Sequence, residues 1–280
     1  MRKNNIHYTI LLLLLSTLLL LGACGKSKSS EVITVGTSSA EYVTWNLIKD
    51  IAADEGIELE VIKFDDYVQP NLALDSGEID INAFQTVVYF DSFIEEHNID
   101  LAPIGTTSIW PMGIYSKEID DLSELEDGAQ VAIPNDPTNL GRALLLLEKA
   151  ELITLEADFD GSGGVENITD NPHNLDIITV DSGQTARSLD DVTLSIINSD
   201  KAIAADLNPT HDPVFREDAE NKAYINIIAS RTEDKDDETL NKIVDIFHRD
   251  EIAEFIEEEF GGASVPVREP ISYLDDYEQN

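Results

Sequence analysis

Leu59-Glu60-Val61-Ile62-Lys63-Phe64 alternates apolar and polar residues as a strand does, and it is the middle one of three strand-like segments separated by helical ones. Before it, residues 32–35 form a short β-branched run that ends at Gly36. Residues 41–55 then place Val43, Leu47, Ile48 and Ile51 on one helical face. After it, residues 67–76 read as a second helix and Ile79-Asp80-Ile81-Asn82-Ala83-Phe84 as a third strand. A βαβαβ series predicts a parallel sheet covered by helices. The pattern resumes with a strand at 130–134, a helix at 139–149, strands at 175–180 and 194–198, and a short helix at 202–207. A β-rich run follows at 224–230, and a long helix at 238–259 closes the fold. The tail after Gly261-Gly262 reads as loosely ordered, although Val265 and Val267 are able to pack. Such a layout predicts an α/β protein of two lobes with a ligand between them, bound beyond the carboxyl ends of strands.

The 280 residues are 42% hydrophobic, which is enough for one large domain or two lobes with cores of their own. Asp and Glu number 56 against 18 Lys and Arg, a formal charge of −38. Nucleic acid is excluded as a partner by that balance, because phosphate binding needs a basic face. Most of the carboxylates read as a solvated surface, and their mutual repulsion points to a saline external medium.

Arg2 and Lys3 precede an apolar run at 10–21, broken only by Ser16 and Thr17. At about 12 residues the run is short for a bilayer span and suits a secretory signal. Leu21-Gly22-Ala23-Cys24 follows and resembles the bacterial lipobox, which implies cleavage of residues 1–23 and lipidation of Cys24. Cys24 is the sole cysteine, so no internal disulfide or thiolate metal cluster can form. Residues 24–30 read as a lipidated tether. Loss of Arg2 and Lys3 with the signal takes the formal charge from −38 to −40. The expected location is the extracytoplasmic face of the cell membrane, held by acyl chains.

Four segments carry candidate chemistry. In Pro134-Asn135-Asp136-Pro137-Thr138-Asn139-Leu140-Gly141-Arg142 a strand ends, Asp136 or Thr138 can cap a helix, and Pro137 suits its first turn. The free N–H groups of that helix start favour an anion, and Asn139 and Arg142 share a face. Arg142 can grip a carboxylate with two parallel bonds, or balance nearby acids at the surface. Asp65-Asp66-Tyr67 follows a strand, where Tyr67 can wall an apolar pocket or simply pack. Asn82-Ala83-Phe84-Gln85, with Tyr89 beyond, lies at another strand end. Asn198 ends the strand Ser195-Ile196-Ile197 and can meet an ammonium or a carboxylate, or cap the next helix.

Together, Asp65 to Asn71, Asp80 to Gln85, Pro134 to Leu147, Arg187-Ser188-Leu189-Asp190-Asp191 and Ile197-Asn198 resemble the NlpA/MetQ family of methionine-binding lipoproteins of ABC importers, over roughly residues 31–262. The resemblance implies a type II periplasmic-binding-protein-like fold with ligand in the interlobe cleft. It implies lobe 1 at 31–111 plus 225–270, lobe 2 at 112–224, and a tail at 271–280. Arg142 would hold the ligand carboxylate, Asn139 and Asn198 would fix carboxylate and ammonium, and Tyr67, Phe84 and Tyr89 would enclose the side chain. Trp110 stands where the family often has an aromatic. The partners implied are a free amino acid, methionine first, and an ABC permease with its ATPase, the protein acting as a monomer without catalysis or cofactor. The sequence departs from the family at Thr86, where many members carry His. That change widens the ligand choice to another apolar amino acid or a methionine-containing dipeptide.

Other signals point elsewhere less well. The five histidines His7, His97, His173, His211 and His248 show no metal-ligand spacing with one another, so no metal is expected. Asp158, Asp160, Ser162 and Gly163 partly imitate an EF-hand loop, but its closing Glu would fall on Thr169. Gly161-Ser162-Gly163-Gly164 reads as a mobile loop. A secreted hydrolase would need a positioned acid–base pair, and among so many acids none stands out. A surface lipoprotein that binds another protein would need an exposed apolar patch. Because self-repulsion among the excess acids is screened by ions, thermal melts in rising sodium chloride are expected to show Tm increasing with salt.

Overall fold

The computed structural model describes residues 32–277, so the expected signal at 1–23 and the expected lipidation at Cys24 fall outside the described residues. The chain begins β1 (Ile33–Ser38), α1 (Tyr42–Asp54), β2 (Leu59–Phe64), α2 (Gln69–Ser76) and β3 (Ile81–Thr86). β1 pairs in parallel with both β2 and β3, from Ile33 opposite Leu59 to Ser38 opposite Phe64, and Val35 opposite Ile81. The third strand starts two residues later than its alternation suggests. Asp80 is held at its threshold by accepting from the Thr34 amide at 2.8 Å and the Thr34 hydroxyl at 2.7 Å. Helix α3 (Val87–His97) and strand β4 (Leu101–Ile109) follow.

The chain then builds a second sheet: β5 (Gly113–Tyr115), β6 (Gln130–Pro134), α4 (Pro137–Lys149), β7 (Thr154–Leu155), β8 (Ile168–Asp170), β9 (Asp176–Val180), α5 (Thr185–Ser188), β10 (Leu194–Ile197), α6 (Ser199–Ala204) and β11 (Phe215–Arg216). It returns to the first sheet with β12 (Ile225–Arg231), α7 (Glu238–Phe247), α8 (Asp250–Phe260) and β13 (Val265–Pro266). The first sheet has the order β13-β4-β12-β3-β1-β2 and the second β11-β5-β10-β6-β9, with β7 and β8 forming a separate pair. Two crossings, at 110–112 and 217–224, join the sheets.

Each sheet owns a core. In the first, Trp45 and Ile48 of α1 meet Ile243, Ile246 and Phe247 of α7 and Ile252 and Ile256 of α8 over Val35 and Ile81. Its other face buries Leu74, Ile79, Phe90 and Ile227. β12 is covered on both faces, and a strand buried in that way shows no in–out alternation, as at Ile227-Ile228-Ala229 in its centre. In the second sheet, Leu144 and Leu147 of α4 pack on Val131, Ile133 and Ile196.

Three segments differ from the sequence-based expectation. The long helix at 238–259 is two helices, because Arg249 leaves the helical region at φ −71, ψ 151, and the bend turns both Phe247 and Ile252 into one core. Periodicity alone does not see such a break when no Pro or Gly marks it. The segment after Gly262 is not loose: β13 pairs with β4 through Val265 opposite Ile109, and Leu274 is buried in the first lobe's outer core. The glycine-rich loop is docked rather than free. An ideal Cβ at Gly141 of α4 would stand 1.7 Å from the Gly161 carbonyl oxygen, so the loop backbone rests on a helix face that has no side chain there. Gly161 itself takes φ +95, open to glycine at little cost.

Gly141→Ala is therefore expected to force the loop off α4 despite the better helix propensity of alanine. A loss of about 1–3 kcal/mol in denaturant melts is the expected size for such overpacking.

Candidate ligand-binding cleft

A cavity lies between the two sheets. All seven residues singled out from the sequence line it: Tyr67, Phe84 and Tyr89 from the first sheet, Trp110 from the first crossing, and Asn139, Arg142 and Asn198 from the second sheet. Each stands at or just beyond the end of a strand or on the helix that follows one, where parallel α/β topology directs loops to one edge.

The aromatic wall is mutually braced. Tyr67 stacks on Phe84 at 6.0 Å, Tyr89 meets both rings edge-on, and the Tyr89 hydroxyl donates to the Tyr67 carbonyl at 3.1 Å. Thr86 also lines the cavity, and its hydroxyl caps α3 by accepting from the Tyr89 amide at 3.2 Å.

Arg142 is 3% exposed, not a surface residue. Its Nε donates to Glu217 Oε1 at 2.9 Å, and its Nη2 donates to Glu217 Oε2 at 2.6 Å and to the Trp110 carbonyl at 2.9 Å. The guanidinium also sits 4.1 Å from the centre of the Tyr224 ring. Burial opposes its charge, but the Glu217 carboxylate outweighs that and holds its pKa above the usual arginine value. These bonds use Nε and Nη2, and Nη1 takes part in none of them.

The neighbouring amides form a relay. Asn198 Nδ2 donates to Asn139 Oδ1 at 2.8 Å, and Asn139 Nδ2 donates to Asp136 at 2.9 Å. Asn198 Oδ1 is buried with no hydrogen-bond partner. A bare buried acceptor costs about 1–3 kcal/mol unless a donor reaches it. Asn198 precedes α6 as its N-cap residue, but its side chain makes no capping bond. At the start of α4 the structure corrects the expectation of a free anion site. Asp136 supplies the anion from within the chain, accepting from the Asn139 amide at 3.0 Å, and Ser182 steadies its second oxygen at 2.8 Å.

Three acidic residues of the site escape sequence reading. Glu217 neutralises Arg142. Asp200 accepts from the Tyr67 hydroxyl at 2.6 Å, a bond that joins the two sheets' segments, and the adjacent Lys201 reaches across to the Asp65 carbonyl at 2.7 Å. Burial, with Asp200 nearby, pushes the Tyr67 hydroxyl well above its ordinary pKa and keeps it a donor. Glu41, just past β1, accepts from Trp110 Nε1 at 3.1 Å and from Thr37 at 3.4 Å. Its place beyond a strand's carboxyl end was the one available signal, hidden by the number of acids in the chain. Among the described residues, no group of three or more His, Cys, Asp or Glu is arranged to hold a metal ion.

Burial raises the Glu41 pKa to about 8. A carboxyl whose folded pKa lies above its unfolded value stabilises the fold at low pH and loses that contribution as pH rises through the folded value. Glu41→Gln, which cannot ionise, is therefore expected to melt higher than the wild type at about pH 9 without ligand. The gap should close toward about pH 5, as thermal melts across pH would show.

The NlpA lipoprotein family model matches residues 33–268. The uncharacterized lipoprotein YhcJ of Bacillus subtilis is 36% identical, covering 99% of this chain and 98% of its own. The D-methionine-binding lipoprotein MetQ of Escherichia coli K12 is 40% identical, covering 90% of this chain and 94% of its own. Among solved structures, a nutrient-binding protein from Burkholderia cenocepacia bound to methionine superposes with TM-score 0.81 at 40% identity, over 84% of this chain and 99% of that one. The fold is thus the two-lobed α/β arrangement of periplasmic binding proteins. Two sheets, two crossings and a buried cleft between them, matched along nearly the full described length, place this chain in the NlpA lipoprotein family.

Proposed function

We propose that the cleft captures a free amino acid, methionine foremost, and that the protein delivers it unchanged to the permease and ATPase of an ABC importer. The observation that carries this reading is Arg142: a cation buried on the wall of an interlobe cavity, held by Glu217, with Nη1 outside its internal bonds. A ligand carboxylate would meet Nη1. Its ammonium would meet the bare Asn198 Oδ1 and the Glu41 side of the cavity. Arg142 and Glu217 cancel, so a zwitterion of no net charge leaves that pair balanced. The uncharged side chain would lie among Tyr67, Phe84 and Tyr89, and a thioether gains from aromatic neighbours. Homologues named for methionine binding support the same ligand.

A second ligand class has one observation in its favour. Thr86 lines the cleft with its hydroxyl committed to the α3 cap, where an imidazole is expected from the family. Another apolar amino acid or a methionine-containing dipeptide fits that change. The same reading keeps a lipid anchor at Cys24, an extracytoplasmic monomer, and lobes at 31–111 plus 225–270 and 112–224. The strand membership of the two sheets supports that division.

Calorimetry against the twenty amino acids tests the proposal, with micromolar or tighter methionine binding and unchanged ligand as the expected result. Arg142→Ala should abolish most affinity but leaves Glu217 buried and unpaired, at a cost of about 3–5 kcal/mol. Arg142→Met combined with Glu217→Gln removes both charges together and should weaken binding by about a hundredfold or more. Unchanged affinity in that pair would remove Arg142 from the site.

A further inference from the structure

Glu41 stands at the N-cap position of α1, where its backbone carbonyl accepts from the Trp45 amide at 3.1 Å. Its side chain makes no capping bond. It turns into the cavity instead and is 6% exposed. One oxygen, Oε1, accepts from Trp110 Nε1 at 3.1 Å. The other is less well served. The Thr37 hydroxyl has a single proton and also meets the Ala83 carbonyl at 2.9 Å, so its contact with Glu41 Oε2 at 3.4 Å is the weaker of the two. Asn226 adds a further neutral bond. Glu217 pairs with Arg142 and Asp200 with Lys201, whereas Glu41 forms no ion pair among the described residues.

The groups facing it from the other walls do not supply a cation either. Asp200 of α6 opposes its ionisation, and Lys201 beside Asp200 lies over the Tyr67 ring. Tyr67 and Tyr89 are held protonated by burial. Arg142 of α4 lines the same cavity but is neutralised by Glu217. Toward α7 and α8, Phe247, Ile256 and Phe260 pack without a titratable group. Burial first, and Asp200 in addition, push the Glu41 carboxyl up to about 8.

An amino acid carries its two charges on one carbon, so the groups that hold them must stand close together. Trp110 sets that spacing, because its carbonyl accepts from Arg142 and its indole donates to Glu41. On the functional reading above, on which this inference rests, a carboxylate at Arg142 brings the ammonium to Glu41. The ammonium is the cation that the fold withholds from this carboxyl, and its arrival favours the ionised form.

We propose that Glu41 selects for a free α-ammonium, and that each capture releases the Glu41 proton to solution. The carboxyl O–H bond breaks, its proton passes to the buffer, and the ligand keeps its own ammonium protons. Affinity therefore rises with pH while Glu41 is protonated in the free protein, and levels off above about pH 8.

Calorimetry of the intact chain with methionine, in pairs of buffers that differ in heat of protonation, counts the protons released. At about pH 6.5 the wild type is expected to release close to one proton per methionine, and at about pH 9 close to none. Its affinity should rise by up to about tenfold per pH unit between about pH 6 and 8. Glu41→Gln should release none at either pH and bind with little pH dependence. The hydroxy analogue of methionine, which has no ammonium, should bind the wild type about a hundredfold more weakly, with no proton released, and reads the inference even where the variant does not fold. A wild type that binds methionine at about pH 6.5 without releasing a proton would overturn the inference. So would a folded Glu41→Gln protein that releases as many protons as the wild type, or a hydroxy analogue bound as tightly as methionine. A wild type that binds none of the twenty amino acids would overturn the functional reading first and take the inference with it.

Discussion

A guanidinium buried between two sheets is the constraint on which the rest of the cleft depends. Taking Arg142 out of water is costly, and the protein offsets that with a two-point bond to Glu217, a backbone carbonyl on the crossing strand, and the face of Tyr224. These partners come from the first crossing and from the second crossing, while Arg142 itself stands on α4. One side chain thereby ties both passages between the lobes to α4, on the wall of the cavity. The internal bonds of Arg142 use Nε and Nη2, so Nη1 is outside them.

The acid-rich composition is handled differently inside the cleft than outside it. On the surface, carboxylates face water and repel one another through a screened medium. In and around the cavity four of them have internal roles: Glu217 neutralises Arg142, Asp136 caps α4, Asp200 accepts from Tyr67, and Glu41 holds its proton well above the ordinary range. The consequence is that the buried Arg142 is balanced from within a protein of charge −38.

The lobes also meet outside the ligand's own contacts. Tyr67 bonds Asp200, Lys201 bonds the Asp65 carbonyl and lies over the Tyr67 ring, and Arg216 donates to the Gly262 carbonyl. Tyr67 thus belongs both to the aromatic wall and to the contact between lobes. Filling the cavity and closing it share a residue, which is a direct way for occupancy to bias a hinge.

The alternation at Leu59–Phe64 and the helical face at Val43, Leu47, Ile48 and Ile51 determined the βαβ beginning, because side-chain period is a local property of the chain. The same holds for Asp136-Pro137 at the start of α4 and for the strand ends that carry Tyr67, Phe84, Arg142 and Asn198. The break at Arg249, the docking of Gly161 on Gly141 and the packing of Leu274 were decided only by tertiary contacts, since each depends on a surface supplied from far along the chain. Glu41, Asp200 and Glu217 belong to the same class. Among 56 acids nothing local distinguishes them, and what sets them apart is the partner that folding brings: Trp110, Tyr67 and Arg142. Periodicity and turn chemistry act over a few residues, whereas burial and pairing exist only once segments as distant as residues 142 and 217 share a wall.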